Sequence, residues 1–279
     1  MPLTAEAYEI LILQSSRAPA YEEALRGFRS LRRMTERVLV MSDYSELDLK
    51  RIVREERPLL IFALGDSAYA TASRIRQLPV VVAMAPNFRG ATHGHPSLTG
   101  IELHLPPERY LAILSAMKVK RVGILANPSK SGNYVRRLQQ VAPAMGIEPV
   151  VREVSSAKEV AGRLASLRGN VDALWLLPDE TAVARETTDA YFLFSIDQQV
   201  PVISFSSAYL GLGAAVTVEA DRYELGRQAA ELATGILTTG SQPEQVVTSP
   251  KKFNLRTNPA VLRRLQLPQE FSTRNEGGR

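Results

Sequence analysis

The stretch Leu60-Ile-Phe-Ala-Leu-Gly-Asp-Ser-Ala-Tyr-Ala70 decides the fold. An unbroken apolar run that ends in Gly-Asp-Ser reads as a buried parallel strand, a turn and a helix start. Gly65 is free to take φ > 0, and Asp66 or Ser67 stands where a helix N-cap belongs. Strand ends of this kind are where open α/β sheets hold their ligands.

Working outward, the same strand and helix alternation continues on both sides. Tyr8 to Leu13 is an apolar strand, and Ala24, Leu25, Phe28 and Leu31 share one face of a helix from Tyr21 to Leu31. Val38 to Met41 is a second strand, after which Ser45 is expected to cap a helix. The helix opened by Asp66 is expected to run to about Gln77, and Pro79 introduces a fourth strand, Val80 to Met84. A Pro, Gly and His-rich loop follows to Ser97.

The second half repeats the first. Strands are expected at Arg121 to Ala126, Ile147 to Val154, Ala173 to Leu177 and Pro201 to Ser204, with helices at Ser131 to Ala144, Ala157 to Arg168 and Thr187 to Gln198. One constant offset carries Tyr21 onto Tyr134, Asp66 onto Asp179, and three strands onto three strands, until an insertion within or beside the third helix of the second half breaks it. The repeat predicts two similar lobes. Ala214 to Val218 is a further strand, Asp221 and Glu224 form an Asp-x-x-Glu capping box, and an apolar stripe from Leu225 to Ile236 makes a long helix.

With 279 residues the chain suits two lobes of about 100 to 150 residues each. The reading divides it into 1–100 with 219–246, and 101–218 with 247–279. No apolar run is long enough to cross a bilayer. The net charge of +5 is spread along the chain without a basic run, which argues against nucleic acid as a partner. Having no cysteine, the chain has neither disulfides nor thiol chemistry. Met1-Pro-Leu-Thr-Ala-Glu6 carries no secretory signal pattern, so the expected place is periplasmic or extracytoplasmic with a signal removed, or cytoplasmic if no signal exists.

Catalytic signatures are missing: there is no Gly-x-Ser-x-Gly elbow, no phosphate loop and no His-Glu-x-x-His. Gly211-Leu-Gly213 precedes a strand and reads as a turn. His93 and His95 lie on a Gly-Pro loop without a nearby carboxylate, so no metal and no cofactor are expected. The strand ends carry the candidates instead: Gly65, Asp66 and Ser67 in one lobe, and Asn127, Asn133 and Pro178-Asp179 in the other. Helix N-termini suit a ligand carboxylate, and the aspartates suit an ammonium or serve only as helix caps. Tyr21, Tyr69 and Tyr134 could stack on a ligand or pack in the core.

Ile61 to Gln77 with Pro79-Val-Val-Val82, Leu98-Thr-Gly-Ile101, Arg121-Val-Gly-Ile-Leu-Ala-Asn-Pro128 and Tyr223-Glu-Leu-Gly-Arg-Gln-Ala-Ala230 together resemble the tryptophan/tyrosine-type ABC transporter substrate-binding family. The resemblance implies an α/β fold of two Rossmann-like lobes with parallel central sheets, the type I periplasmic-binding-protein fold. It also implies a ligand cleft between the lobes and a hinge crossed near Leu98 to Leu103, Val216 to Ala220 and Val246 to Thr248. The implied function is solute binding without catalysis, with an amino acid or related small acid as ligand, presented to a membrane permease and its ATPase by a monomer. A ligand-sensing domain of a regulatory system is the alternative reading. Resemblance and geometry together select Ser15, Ser16, Asp66, Ser67, Pro86, Asn87, Asn127, Asn133, Asp179 and Asp221 as ligand contacts. This chain has Ala85-Pro86-Asn87 where the family commonly carries Asp-Pro, which leaves the ligand class open.

Overall fold

Strands that are apolar at every position need cover on both faces, and the order of elements supplies it. The computed structural model describes residues 8–31, 34–86, 88, 97–241, 243 and 247–268. The first half runs β1 (Ile10–Gln14), α1 (Pro19–Leu31), β2 (Glu36–Val40), α2 (Leu49–Glu56), β3 (Leu60–Leu64), α3 (Asp66–Ala72), β4 (Val80–Ala83) and β5 (Leu98–Ile101). It continues with α4 (Pro107–Ala116), β6 (Arg121–Ala126), α5 (Pro128–Val141), β7 (Glu148–Glu153), α6 (Val160–Ala165), β8 (Ala173–Trp175), α7 (Thr188–Gln198) and β9 (Val202–Ser204). The last part is β10 (Val216–Ala220), α8 (Arg222–Thr239), β11 (Val247–Thr248), β12 (Phe253–Thr257) and α9 (Pro259–Arg264).

Two compact units result, Met1–Leu105 with Ala220–Lys252, and Pro106–Glu219 with Phe253–Arg279. The first holds a six-stranded sheet in the order β11-β5-β4-β3-β1-β2, and its strand pairs are parallel. Leu11, Leu13, Ile61, Ala63, Val80 and Val82 meet α2 and α3 on one face. On the other, Phe28 of α1 stacks on Phe62 with ring centroids 4.3 Å apart. There α1 and α8 touch backbone to backbone, since a Cβ on Gly226 would lie 1.7 Å from the Ala24 carbonyl oxygen.

The second unit repeats the pattern with the order β12-β10-β9-β8-β6-β7. Leu125, Leu174, Leu176 and Val202 pack against α6 and α7. Trp175 is sandwiched by Tyr110, stacked at 4.5 Å, and Tyr134, edge-on at 6.1 Å. The Tyr110 hydroxyl donates to the Val218 carbonyl at 2.9 Å, which satisfies a phenol that burial pushes far above its ordinary pKa.

Several boundaries differ from the sequence reading, each for a local reason. Helix α2 starts at Leu49, because Asp48 and not Ser45 accepts the Arg51 N–H. Helix α3 stops at Ala72, where bonds from Arg74 to Thr71 and from Ile75 to Ala72 tighten the turn and carry Ile75 into the core. Helix α5 begins at Pro128, with a proline at its first position and Asn127 as its cap. Segment 247–252 belongs to the first unit and not the second, since β11 pairs with β5. The capping box at α8 is half formed. Asp221 accepts the Glu224 N–H at 3.0 Å, whereas the Glu224 carboxylate is taken by Arg227 and Lys252.

Candidate functional site

In the first unit β1 lies between β2 and β3, so the sheet order reverses there, and in open α/β sheets ligands bind at the carboxyl ends of the strands beside such a reversal. The ladder pins those ends level. The Ser15 N–H donates to the Leu64 carbonyl at 2.9 Å, and the Gly65 N–H donates to the Ala83 carbonyl at 3.0 Å. Ser15, Ser16, Asp66, Ser67 and Pro86 thus follow the ends of three adjacent strands. Asn87 lies outside the described residues, as do His93 and His95.

Gly65 has φ +94°, and a Cβ there would come within 2.5 Å of both the Ser15 Oγ and the Tyr21 hydroxyl. Only glycine fits, for conformation and for space. The Ser15 Oγ accepts the Ala68 N–H at 3.0 Å, so the first turn of α3 is capped by a side chain from another strand. Asp66 is half-buried at the first position of that helix. Tyr21 stands beside them, its phenol pushed up by burial and then by the Asp66 charge, against a hydrogen bond with Ser15. Ser16 holds Gln14 by its carbonyl, the Gln14 Nε2 donating at 2.8 Å, and Ser67 is exposed. Sequence reasoning passed over Met84, a bulky residue held at φ 57° at the end of β4, directly before Ala85 and Pro86. Strained backbone of this kind persists where its surroundings fix it, often beside a ligand loop.

In the second unit Asn127 and Asp179 come together at the ends of β6 and β8. Asp179 is 1% exposed. One carboxylate oxygen accepts the Asn127 N–H and the Ser131 hydroxyl, both at 2.8 Å, and the other accepts the Thr181 and Ala182 N–H groups at 3.0 and 3.1 Å. Its lone pairs are committed within its own chain. Although Asp66 and Asp179 share a register in the repeat, Asp66 opens a helix while Asp179 turns inward and ties a loop. The Asn127 side chain caps α5 through Ser129 and donates to the Thr181 Oγ1 at 3.3 Å. Asn133 is exposed on α5 and accepts a bond from Arg136. Asp221 caps α8 in the first unit.

Two residues were missed that complete this loop, Ser131 and Thr181. Their types are too common to stand out, and only their bonds to Asp179 and Asn127 mark them. Among the described residues no group of three or more His, Asp or Glu side chains could hold a metal ion. Nor is any helix among them long and apolar enough to cross a membrane.

The motif residues find physical reasons here. Gly100 of Thr-Gly-Ile passes so close to β4 that a Cβ would lie 2.4 Å from the Val82 carbonyl oxygen. Gln228, buried in α8, donates to the Thr248 Oγ1 at 3.1 Å and the Ser249 carbonyl at 3.0 Å, and accepts the Lys251 N–H at 3.2 Å.

A structure of an ABC domain in complex with L-Trp from Streptococcus pneumonia is 19% identical with TM-score 0.64, covering 94% of this chain and 96% of that one. The ligand-free, open form of a substrate-binding protein with adhesive properties from Clostridium difficile is 20% identical with TM-score 0.72, covering 96% of this chain and 97% of that one. A tyrosine-binding protein of Clostridioides difficile is 21% identical over 235 residues, 81% of this chain and 67% of the relative. The two solved structures share the fold of this chain. The family model for ABC transporter substrate-binding proteins matches residues 43–271, and the chain belongs to that family.

Proposed function

We propose that the chain binds a small molecule such as an amino acid or related small acid through its strand-end groups, and delivers it outside the cytoplasm to a permease and ATPase complex. The observation that carries the reading is the arrangement around Gly65. Ser15 caps α3, Asp66 stands half-buried at its first position, and Tyr21 closes one side. A carboxylate beside a phenol suits an ammonium group, and N–H groups at the start of a helix suit a carboxylate. In the second unit the polar group at the strand ends is Asn127, which Asp179 holds in place.

The similarity to an L-Trp complex and to a tyrosine-binding protein supports aromatic amino acids as the first ligands to try. The Ala85-Pro86-Asn87 sequence argues for a screen that extends to acids lacking an amino group. A thermal-shift screen of amino acids and small acids, followed by calorimetric titration of each hit against wild type and Asp66→Ala, tests the proposal. Lost affinity with unchanged stability supports the contact. Lost stability with unchanged affinity makes Asp66 a structural residue, and a screen without a hit refutes the ligand class.

A further inference from the structure

Helix α7 buries Tyr191, Phe192 and Phe194, and two further large apolar side chains on it have no cover. Leu193 is 67% exposed and Ile196 59% exposed. A groove of about 390 Å³ runs between α6 and α7, lined by Ala161, Leu164, Ala165 and Ala190 together with Leu193 and Phe194. Two uncovered apolar side chains at a largely apolar groove make a surface suited to association.

The charges around it identify the occupant. Arg168, just past α6, pairs with Asp197 of α7 at 2.9 Å, and the Gly169 N–H donates to the Gln198 Oε1 at 3.1 Å. These bonds hold the carboxyl-terminal ends of both helices together, so α6 and α7 run side by side in the same sense. The exposed charges on α7 are Asp189 and Asp197, whereas α6 carries Arg163, paired with Glu159 at its N-cap, and is followed by Arg168. A two-fold axis laid along the groove places α7 of one protomer over α6 of the other, also in the same sense. Leu193 then enters the partner's groove, and Asp197 meets Arg168. The patch is complementary to itself, which is the requirement for an isologous dimer.

We propose that this face of the second unit is the interface of a homodimer, in which α7 of each protomer packs on α6 of its partner. Both members of the Arg168–Asp197 pair are about half-exposed, so exchanging it between protomers costs little.

Sedimentation velocity of the full chain over a range of concentrations reads the proposal directly. A concentration-dependent dimer is expected for wild type, with loss of at least tenfold in affinity for Leu193→Asp, a change at a solvent-exposed position. Arg168→Glu and Asp197→Arg should each weaken self-association about tenfold. An equimolar mixture of the two variants should restore it, because in the mixed dimer every contact across the axis again pairs one acidic with one basic side chain. A wild-type chain that stays monomeric at all concentrations overturns the proposal, as does a dimer indifferent to Leu193→Asp or a mixture that fails to recover. If wild type is monomeric and Leu193→Asp impairs only stimulation of the membrane transporter, the face belongs to the permease and the proposal falls.

Discussion

The carboxylate of Asp179 accepts the backbone N–H of Asn127 at 2.8 Å, doing beyond the end of the short strand β8 what a neighbouring carbonyl does in the first unit, where Leu64 accepts from Ser15. Three more donors share that carboxylate. Asp179→Asn puts an amide NH2 against N–H groups and strands buried donors. The loss should be about 3 kcal/mol in a denaturant titration, read by Trp175 fluorescence, since that tryptophan lies on the adjoining strand. A loss under about 0.5 kcal/mol would show that water replaces the carboxylate.

Gly27 and Gly226 predict a sharper structural effect. Replacing either with Ala drives a Cβ to within 1.9 Å of the Tyr223 carbonyl oxygen or 1.7 Å of that of Ala24. Both neighbours are backbone and cannot swing away, so α1 and α8 must separate. Each substitution should cost about 3 kcal/mol, at the upper end of overpacking effects. Gly235 in the same helix has nothing within 4 Å of its would-be Cβ, and Gly235→Ala should stabilise by up to about 1 kcal/mol through helix propensity. Equal effects at Gly226 and Gly235 would refute the close-approach argument.

Gln228 fastens the segment Thr248 to Lys251 by three hydrogen bonds from one amide. Gln228→Leu keeps the volume and removes all three. The expected outcome is faster hydrogen exchange at the Lys251 amide with a stability loss of about 2 kcal/mol, while exchange in the β1 and β3 strands keeps its rank. Unchanged exchange at Lys251 would mean that strand pairing alone holds the segment.

The fold was legible in the sequence because its signals are cooperative. Fully apolar runs such as Leu60–Leu64 and the shared register of Tyr21 with Tyr134 each depend on many residues agreeing. The site was less legible because single polar residues carry it. Asp66 and Asp179 look alike in sequence, yet the first opens a helix and the second is buried by a loop that no spacing rule foresees. The caps at Asp48 and Asn127 were decided by which side chain reaches an N–H, and α3 was cut short by Ile75 turning into the core. Such outcomes rest on angles and on distances of tenths of an ångström, which hydrophobic periodicity does not encode.

Acid pH should act on the first unit through Glu224. Burial raises its pKa, but hydrogen bonds and charge from Arg227 and Lys252 outweigh that and leave it below its ordinary value of 4.5. A carboxyl lowered on folding contributes stability that is fully present above pH 4.5 and is lost as the pH falls through the folded value. Glu224→Gln should therefore be less stable than wild type at pH 7, and the gap should close progressively below pH 4.5. Glu56, where burial is likewise outweighed by bonds from Tyr8 and Arg37, loses its own contribution over the same range. The wild-type minus Glu224→Gln difference isolates the first group, because Glu56 is common to both proteins. A gap that stays constant from about pH 7 to about pH 3 would show that Glu224 gains nothing from its two cations.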